Sequence, residues 1–220
     1  MLNIAIGYDP NESVAFHTLV QSLMDNSSKP LNIMPLNLKN LPFKRERNPL
    51  QSTEFSFSRF LVPYLNSFNG LCLFMDCDIL CVGDVAELFA SFDYWNAVQV
   101  VKHNYEPKTK SKFLGNVQTS YAKKNWSSVM LFNCSHYDCQ RLTLDYVEKA
   151  SGLELHQFHW TDRVGELNPQ WNYLVGESQK VKDPKLIHYT LGGPYFNDYR
   201  DCEFSKEWFD TKARMLRCKQ

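Results

Sequence analysis

Asp76 and Asp78 close an apolar run, Leu71-Cys72-Leu73-Phe74-Met75, with one residue between them. Alternate residues of a strand share a face, so both carboxylates are expected to project together from the end of one buried strand, residues 71–79. Like charges so placed repel and lose solvation unless something positive sits between them. A hard divalent cation with open positions for phosphate oxygens meets that need. His188 closes a later apolar stretch, residues 185–190, and adds an imidazole. A set of two carboxylates and one imidazole suits manganese better than calcium, with magnesium tolerating it less well.

Other residue types that suit phosphates and sugars are spread along the chain. Gly7-Tyr8-Asp9 forms a turn after the first apolar run. Arg59 precedes the acidic strand and is placed to pair with a carboxylate or a phosphate. Gly192 and Gly193 let the backbone approach a phosphate closely. Asn125, Ser127 and Ser128, around Trp126, carry the short amide and hydroxyl groups that grip sugar hydroxyls. Asp162 lies among aromatics in a non-periodic stretch, where a carboxylate would stabilise charge developing at an anomeric carbon. Trp126 and Trp160 are expected to pack, and Lys44, Arg45 and Arg47 to form a solvated loop.

Elements that position these groups follow from periodicity. Strands are expected at 2–9, 32–38, 71–79, 97–103, 128–132 and 185–190, and an ordered apolar segment at 170–176. Helices are expected at 12–24 with Asn11 as N-cap, at 54–68 capped by Ser52 or Thr53 and disturbed by Pro63, at 84–92 behind Asp84, at 136–150 and at 206–220. Such alternation argues for an α/β fold with a mostly parallel sheet covered on both faces. In such sheets ligands bind beyond the carboxyl ends of the strands. A single domain is expected, and the basic tail, with no stop signal, fits a piece of a longer polypeptide.

Composition narrows the class. Lys+Arg and Asp+Glu both number 24, which disfavours a nucleic-acid binder held by a broad basic field. Hydrophobic residues at 44% suffice for a core. The seven cysteines contain no Cys-x-x-Cys pair, which disfavours zinc. Their odd number, with no basic, apolar leader, reads as reduced thiols in the cytoplasm. No apolar run approaches the roughly 20 residues of a membrane span.

Several segments together resemble glycosyltransferase family 8, the glycogenin-like and lipopolysaccharide galactosyltransferase-like enzymes of the GT-A fold. They are Ile-Ala-Ile-Gly-Tyr-Asp (4–9), Ser-Arg-Phe (58–60), Phe-Met-Asp-Cys-Asp (74–78), Ser-Ser-Val-Met-Leu-Phe-Asn (127–133), Leu-Asn-Pro-Gln-Trp-Asn (167–172) and Ile-His-Tyr-Thr-Leu-Gly-Gly-Pro-Tyr (187–195). A bacterial and viral branch is more similar still. The resemblance implies a UDP-sugar donor and Mn2+ on Asp76, Asp78 and His188. It also implies nucleotide contacts from Gly7, Tyr8, Asp9 and Cys77, and transfer of a hexose or deoxyhexose to a glycan hydroxyl with retention. There are departures. Asp162 is followed by Arg163 where the family has Asp-Gln, and Pro194-Tyr195 replaces a Lys-Pro-Trp. Lys102 or Arg163 then becomes the candidate for the missing positive charge.

Two other classes compete. Haloacid dehalogenase-type phosphatases also place Asp-x-Asp after an apolar strand, but continue with Thr or Val, where this chain has Ile79-Leu80. A non-catalytic module that keeps a nucleotide-sugar pocket would share most of the same residues.

Overall fold

The computed structural model describes residues 1–46, 51, 53–104, 122–178 and 180–217. Arg47, Ser52, Cys218 and the end of the expected tail helix lie outside the described residues. Among the described residues no helix is long and apolar enough to cross a membrane.

The apolar run Leu-Asn-Ile-Ala-Ile-Gly forms β1 (Leu2–Gly7), flanked in parallel by β2 (Leu31–Leu36) and β3 (Leu71–Met75). β6 (Val129–Asn133) pairs antiparallel with β3 and with β5 (Val98–Val100), and β7 (Val164–Glu166) adds in parallel to β5. The sheet order is β2-β1-β3-β6-β5-β7, so all strands but β6 run one way. Their carboxyl ends, at Gly7, Met75 and Val100, share one edge.

A second, smaller sheet departs from the expectation of one strand over 71–79. The chain bends at Asp76-Cys77-Asp78, and β4 (Ile79–Cys81) joins a separate sheet of order β4-β9-β8. β9 (Leu186–His188) runs antiparallel to β4 and parallel to β8 (Tyr173–Leu174). The two acids therefore lie on the bridge between sheets. The bend follows from pairing: the Asp76 amide still bonds to Ser128 O (2.9 Å), whereas Ile79 already pairs with His188.

The helices cover these sheets. α1 (Ser13–Asn26) buries Ala15, Phe16, Leu19 and Leu23 at helical spacing. It starts later than expected, because Asp9 rather than Asn11 caps a short 3-10 turn, Pro10–Glu12. The expected helix 54–68 shrinks to a 3-10 turn (Ser58–Leu61) and α2 (Val62–Leu65), ended by left-handed Ser67 and Phe68 at φ +52° and +53°. α3 (Val85–Ala90) is capped by Asp84 as expected. The expected helix 136–150 breaks before Thr143, which caps α4 (Leu144–Lys149). α5 (Gly152–His156) was not expected, although Ser151 and Glu154 form a capping box in front of it. α6 (Ser205–Met215) packs on α1, tied by Arg214 to Asp25 at 2.8 Å. Leu80, Tyr173, Ile187, Tyr189 and Trp208 form a second core between the small sheet and α6.

Candidate active site

Antiparallel pairing of Ile79 with His188 seats the imidazole beside Asp78. His188 Nε2 lies 3.3 Å from Asp78 Oδ1, and both side chains are almost wholly buried. Asp76, Asp78 and His188 each bring a ligand atom within 4.8 Å of the others. The His188 Nδ1 is engaged by Asn172 Oδ1 at 3.0 Å, so the ring turns its other nitrogen to the acids. Two carboxylates and one neutral imidazole nitrogen fit a divalent cation of the borderline class.

Arg59 holds one side of this cluster. Its Nη1 is 2.9 Å from Asp76 Oδ1 and donates to Ser127 O at 2.8 Å. The guanidinium sits about equally over Phe55 and Phe74, 5.3 and 5.1 Å from the ring centroids. It is therefore a buried partner of the acids, not a surface helical arginine.

Two further acids, Glu12 and Asp9, lie near this cluster. Glu12 is 2% exposed and receives the Tyr195 hydroxyl at 2.6 Å. Burial, reinforced by the charge of Asp78, pushes the Glu12 carboxyl up to about 8. Asp9 spends both oxygens on backbone amides, Asn11 N at 2.9 Å and Glu54 N at 3.1 Å. Tyr8 is half-buried, edge-on to Phe16 at 5.4 Å. These two stand at the carboxyl end of β1, beside the acids.

Other expected residues are held by packing and hydrogen bonds around the site. Gly7 lies under the Phe55 ring, which a Cβ would strike, so packing explains this glycine. Cys77 is fully buried in the main core, where burial and nearby acids push its thiol well up. A Cβ added at Gly192, at φ +142°, would strike the Tyr199 ring, and one at Gly193 the Tyr195 ring. The Ser127 hydroxyl bonds to His156 Nδ1 (2.8 Å) and the Ser128 hydroxyl donates to Asn125 O (2.7 Å), so these groups brace the site. Asn125 is left-handed at φ +60°, and its carbonyl serves that bracing.

Asp162 lies apart from the two acids. It is exposed and precedes β7, at the amino edge of the sheet, whereas Asp76 follows the carboxyl end of β3. Its neighbour Thr161 bonds to Asp138 (2.6 Å), beyond the far end of β6. Arg163 shares that remote edge. Lys102 lies at the correct one, after β5, with its Nζ 5.9 Å from the Trp126 ring; Lys123 approaches the same ring at 5.6 Å. Trp126 also donates to His103 O at 2.9 Å, and Trp160 is buried against Phe132. Arg45 is not merely solvated, as expected of its loop: it is partly buried and donates to Val147 O and Ala150 O at the end of α4.

Sequence reasoning missed Glu12, His103, His156, Lys123 and Asn172. Asn172 alone had a signal, as the last residue of the Leu-Asn-Pro-Gln-Trp-Asn segment.

A scan against models of known protein families returns no match. Over 218 aligned residues the chain is 41% identical to Protein CDI of Arabidopsis thaliana, covering 94% of this chain and 84% of that protein. The chain belongs to the Protein CDI family. Solved structures add the fold of this family. The galactosyltransferase LgtC, in complex with donor and acceptor sugar analogues, matches at TM-score 0.69 and 12% identity, over 100% of this chain and 98% of that one. The bifunctional glycosyltransferase WbbM matches at TM-score 0.64 and 14% identity, over 96% of this chain, which spans about half (49%) of WbbM. The glycosyltransferase GlyE of Streptococcus pneumoniae matches at TM-score 0.62 and 16% identity, over 99% of this chain and 60% of that one. The fold is GT-A, as the resemblance implied.

Proposed function

We propose that this member of the Protein CDI family is a metal-dependent glycosyltransferase. It moves a hexose or deoxyhexose from a UDP-sugar to a glycan or other hydroxyl acceptor, with retention. The observation that carries this reading is the meeting of Asp76, Asp78 and His188 at the carboxyl edge of a GT-A sheet. These three would hold Mn2+, or less readily Mg2+, which when bound neutralises charge on a diphosphate leaving group.

The chain's own residues do the rest. Arg59 fixes the Asp76 carboxylate and keeps the acid pair from repelling itself apart. Lys102 and Lys123 bring positive charge to the Trp126 side of the same edge, where departing phosphates need it. Tyr8 and Asp9 border the place of the nucleoside, Asp9 through its hold on the backbone. The backbone at Gly192 and Gly193 lines the phosphate side. Positioning and electrostatic lining supply the rate, with no strong base required. We read the chain as one such domain at work in the cytoplasm, a reading its free thiols support.

The test is UDP release from a panel of UDP-sugars with Mn2+. Asp78→Ala should abolish it, and wild-type-like turnover in that variant rejects the metal assignment. Donor binding without turnover across a broad acceptor screen would instead favour a binding module.

A further inference from the structure

We propose that Asn172 is a positioning residue that fixes the tautomer of His188, turning a bare Nε2 lone pair toward the acids. The inference rests on the reading of Asp76, Asp78 and His188 as a metal site.

A chain of hydrogen bonds with one consistent direction carries it. A backbone carbonyl only accepts, so the Ser128 hydroxyl must donate to Asn125 O, 2.7 Å away. Its one proton is then committed. Ser128 Oγ can only accept from Asn172, at 2.8 Å, which identifies the facing amide atom as Nδ2. That same nitrogen reaches Asn125 O at 3.3 Å, again a pure acceptor. The Asn172 oxygen must therefore face His188 Nδ1, 3.0 Å away. An amide oxygen cannot donate, so Nδ1 carries the hydrogen. In the neutral ring Nε2 is left bare, aimed at Asp78 Oδ1 at 3.3 Å. A lone pair facing a carboxylate oxygen at that distance is favourable only with a cation or a proton between them.

The opposite tautomer fails on the same partners. Turning the amide over would set its oxygen against Asn125 O and the committed Ser128 oxygen. Asn172 is wholly buried and Ser128 is 3% exposed, so water does not relieve that conflict. Ser128 O also receives the Asp76 amide at 2.9 Å, so one short segment orients both an acid and, through Asn172, the imidazole. The left-handed backbone of Asn125 aims the carbonyl on which the chain of donors ends. Partners of this kind on a ligand's far nitrogen set ring orientation and ligand basicity.

The experiment combines NMR with metal binding. Ring 15N and 13C shifts of His188 in the metal-free wild type, in alkaline buffer, should report hydrogen on Nδ1; hydrogen on Nε2 overturns the proposal. Free Mn2+ measured by electron paramagnetic resonance should show Asn172→Leu binding about 10- to 100-fold more weakly than wild type. Ser128→Ala, the milder change, should weaken binding about 2- to 10-fold and mix the tautomers. It decides the matter if Asn172→Leu does not fold. Wild-type affinity in the variants, with Mn2+ bound by the wild type, overturns the role of Asn172 alone. No Mn2+ binding by the wild type overturns the metal reading and this inference with it.

Discussion

Replacing Arg59 by methionine should unfold the protein more easily, and Mn2+ should undo much of the damage. The side chain of Arg59 is 7% exposed and that of Asp76 14%. The change leaves Asp76 beside Asp78 with no guanidinium 2.9 Å away, and it removes a donor 2.8 Å from Ser127 O. Truncating one partner of a buried pair costs about 3–5 kcal/mol, because the other charge stays behind. In a chain of this size each kcal/mol moves Tm by about 2–4 °C, so a fall of roughly 6–20 °C is expected. A cation that binds only the folded state raises Tm, and it binds more tightly where an acid has lost its partner. Thermal unfolding with and without Mn2+ checks both parts. Arg59→Met within about 2 °C of wild type, with an equal response to Mn2+, would refute the reasoning.

Stability of the metal-free protein should peak near about pH 6.5. Burial, chiefly, pulls His103 and His156 down to about 3, so the unfolded chain takes up more protons below about 6.5 and stability falls as pH drops, by up to about 1.4 kcal/mol per pH unit and ring. Glu12, pushed up to about 8, acts in the opposite sense and loses stability as pH rises from about 4.5 to 8; the two rings outweigh it on the acid side. Urea midpoints across that range test this, and Glu12→Gln should remove the alkaline fall. Gly193→Ala would drive a Cβ into the Tyr195 ring and part it from Glu12, costing about 1–3 kcal/mol; an unchanged Tm contradicts that packing. Lys102→Ala should lower kcat/KM for the UDP-sugar about 10-fold or more, while Arg163→Ala should leave it unchanged.

Legibility in the sequence followed range. Local signals were readable: the apolar run of β1, the Asp84 cap, the buried stripe of α1 and the acid pair itself. His188 was readable through the motif around it. Pairing was not. Nothing local announces that β3 ends at Met75 and that β4 begins a different sheet, because that division depends on a partner, His188, far along the chain. Asp162 misled for the same reason. A carboxylate among aromatics looks like site chemistry, but strand direction puts it at the edge away from Asp76. In the sequence Glu12 is one more polar residue at a helix start; only the Tyr195 contact reveals its burial. The glycines were legible as close approaches, yet the approaching groups are the aromatic rings of Phe55, Tyr199 and Tyr195.

Because the chain changes sheets between Asp76 and Asp78, the cage for an ion is shared by two separately packed layers. Asp76 travels with the larger layer, and His188 with the smaller one, whose far side rests on Trp208. A cation seated there would work as a rivet across a seam, and its loss would free a joint as well as a ligand. Loosening the Trp208 side, which packs on Tyr195 5.4 Å away, should register first as poorer ion retention.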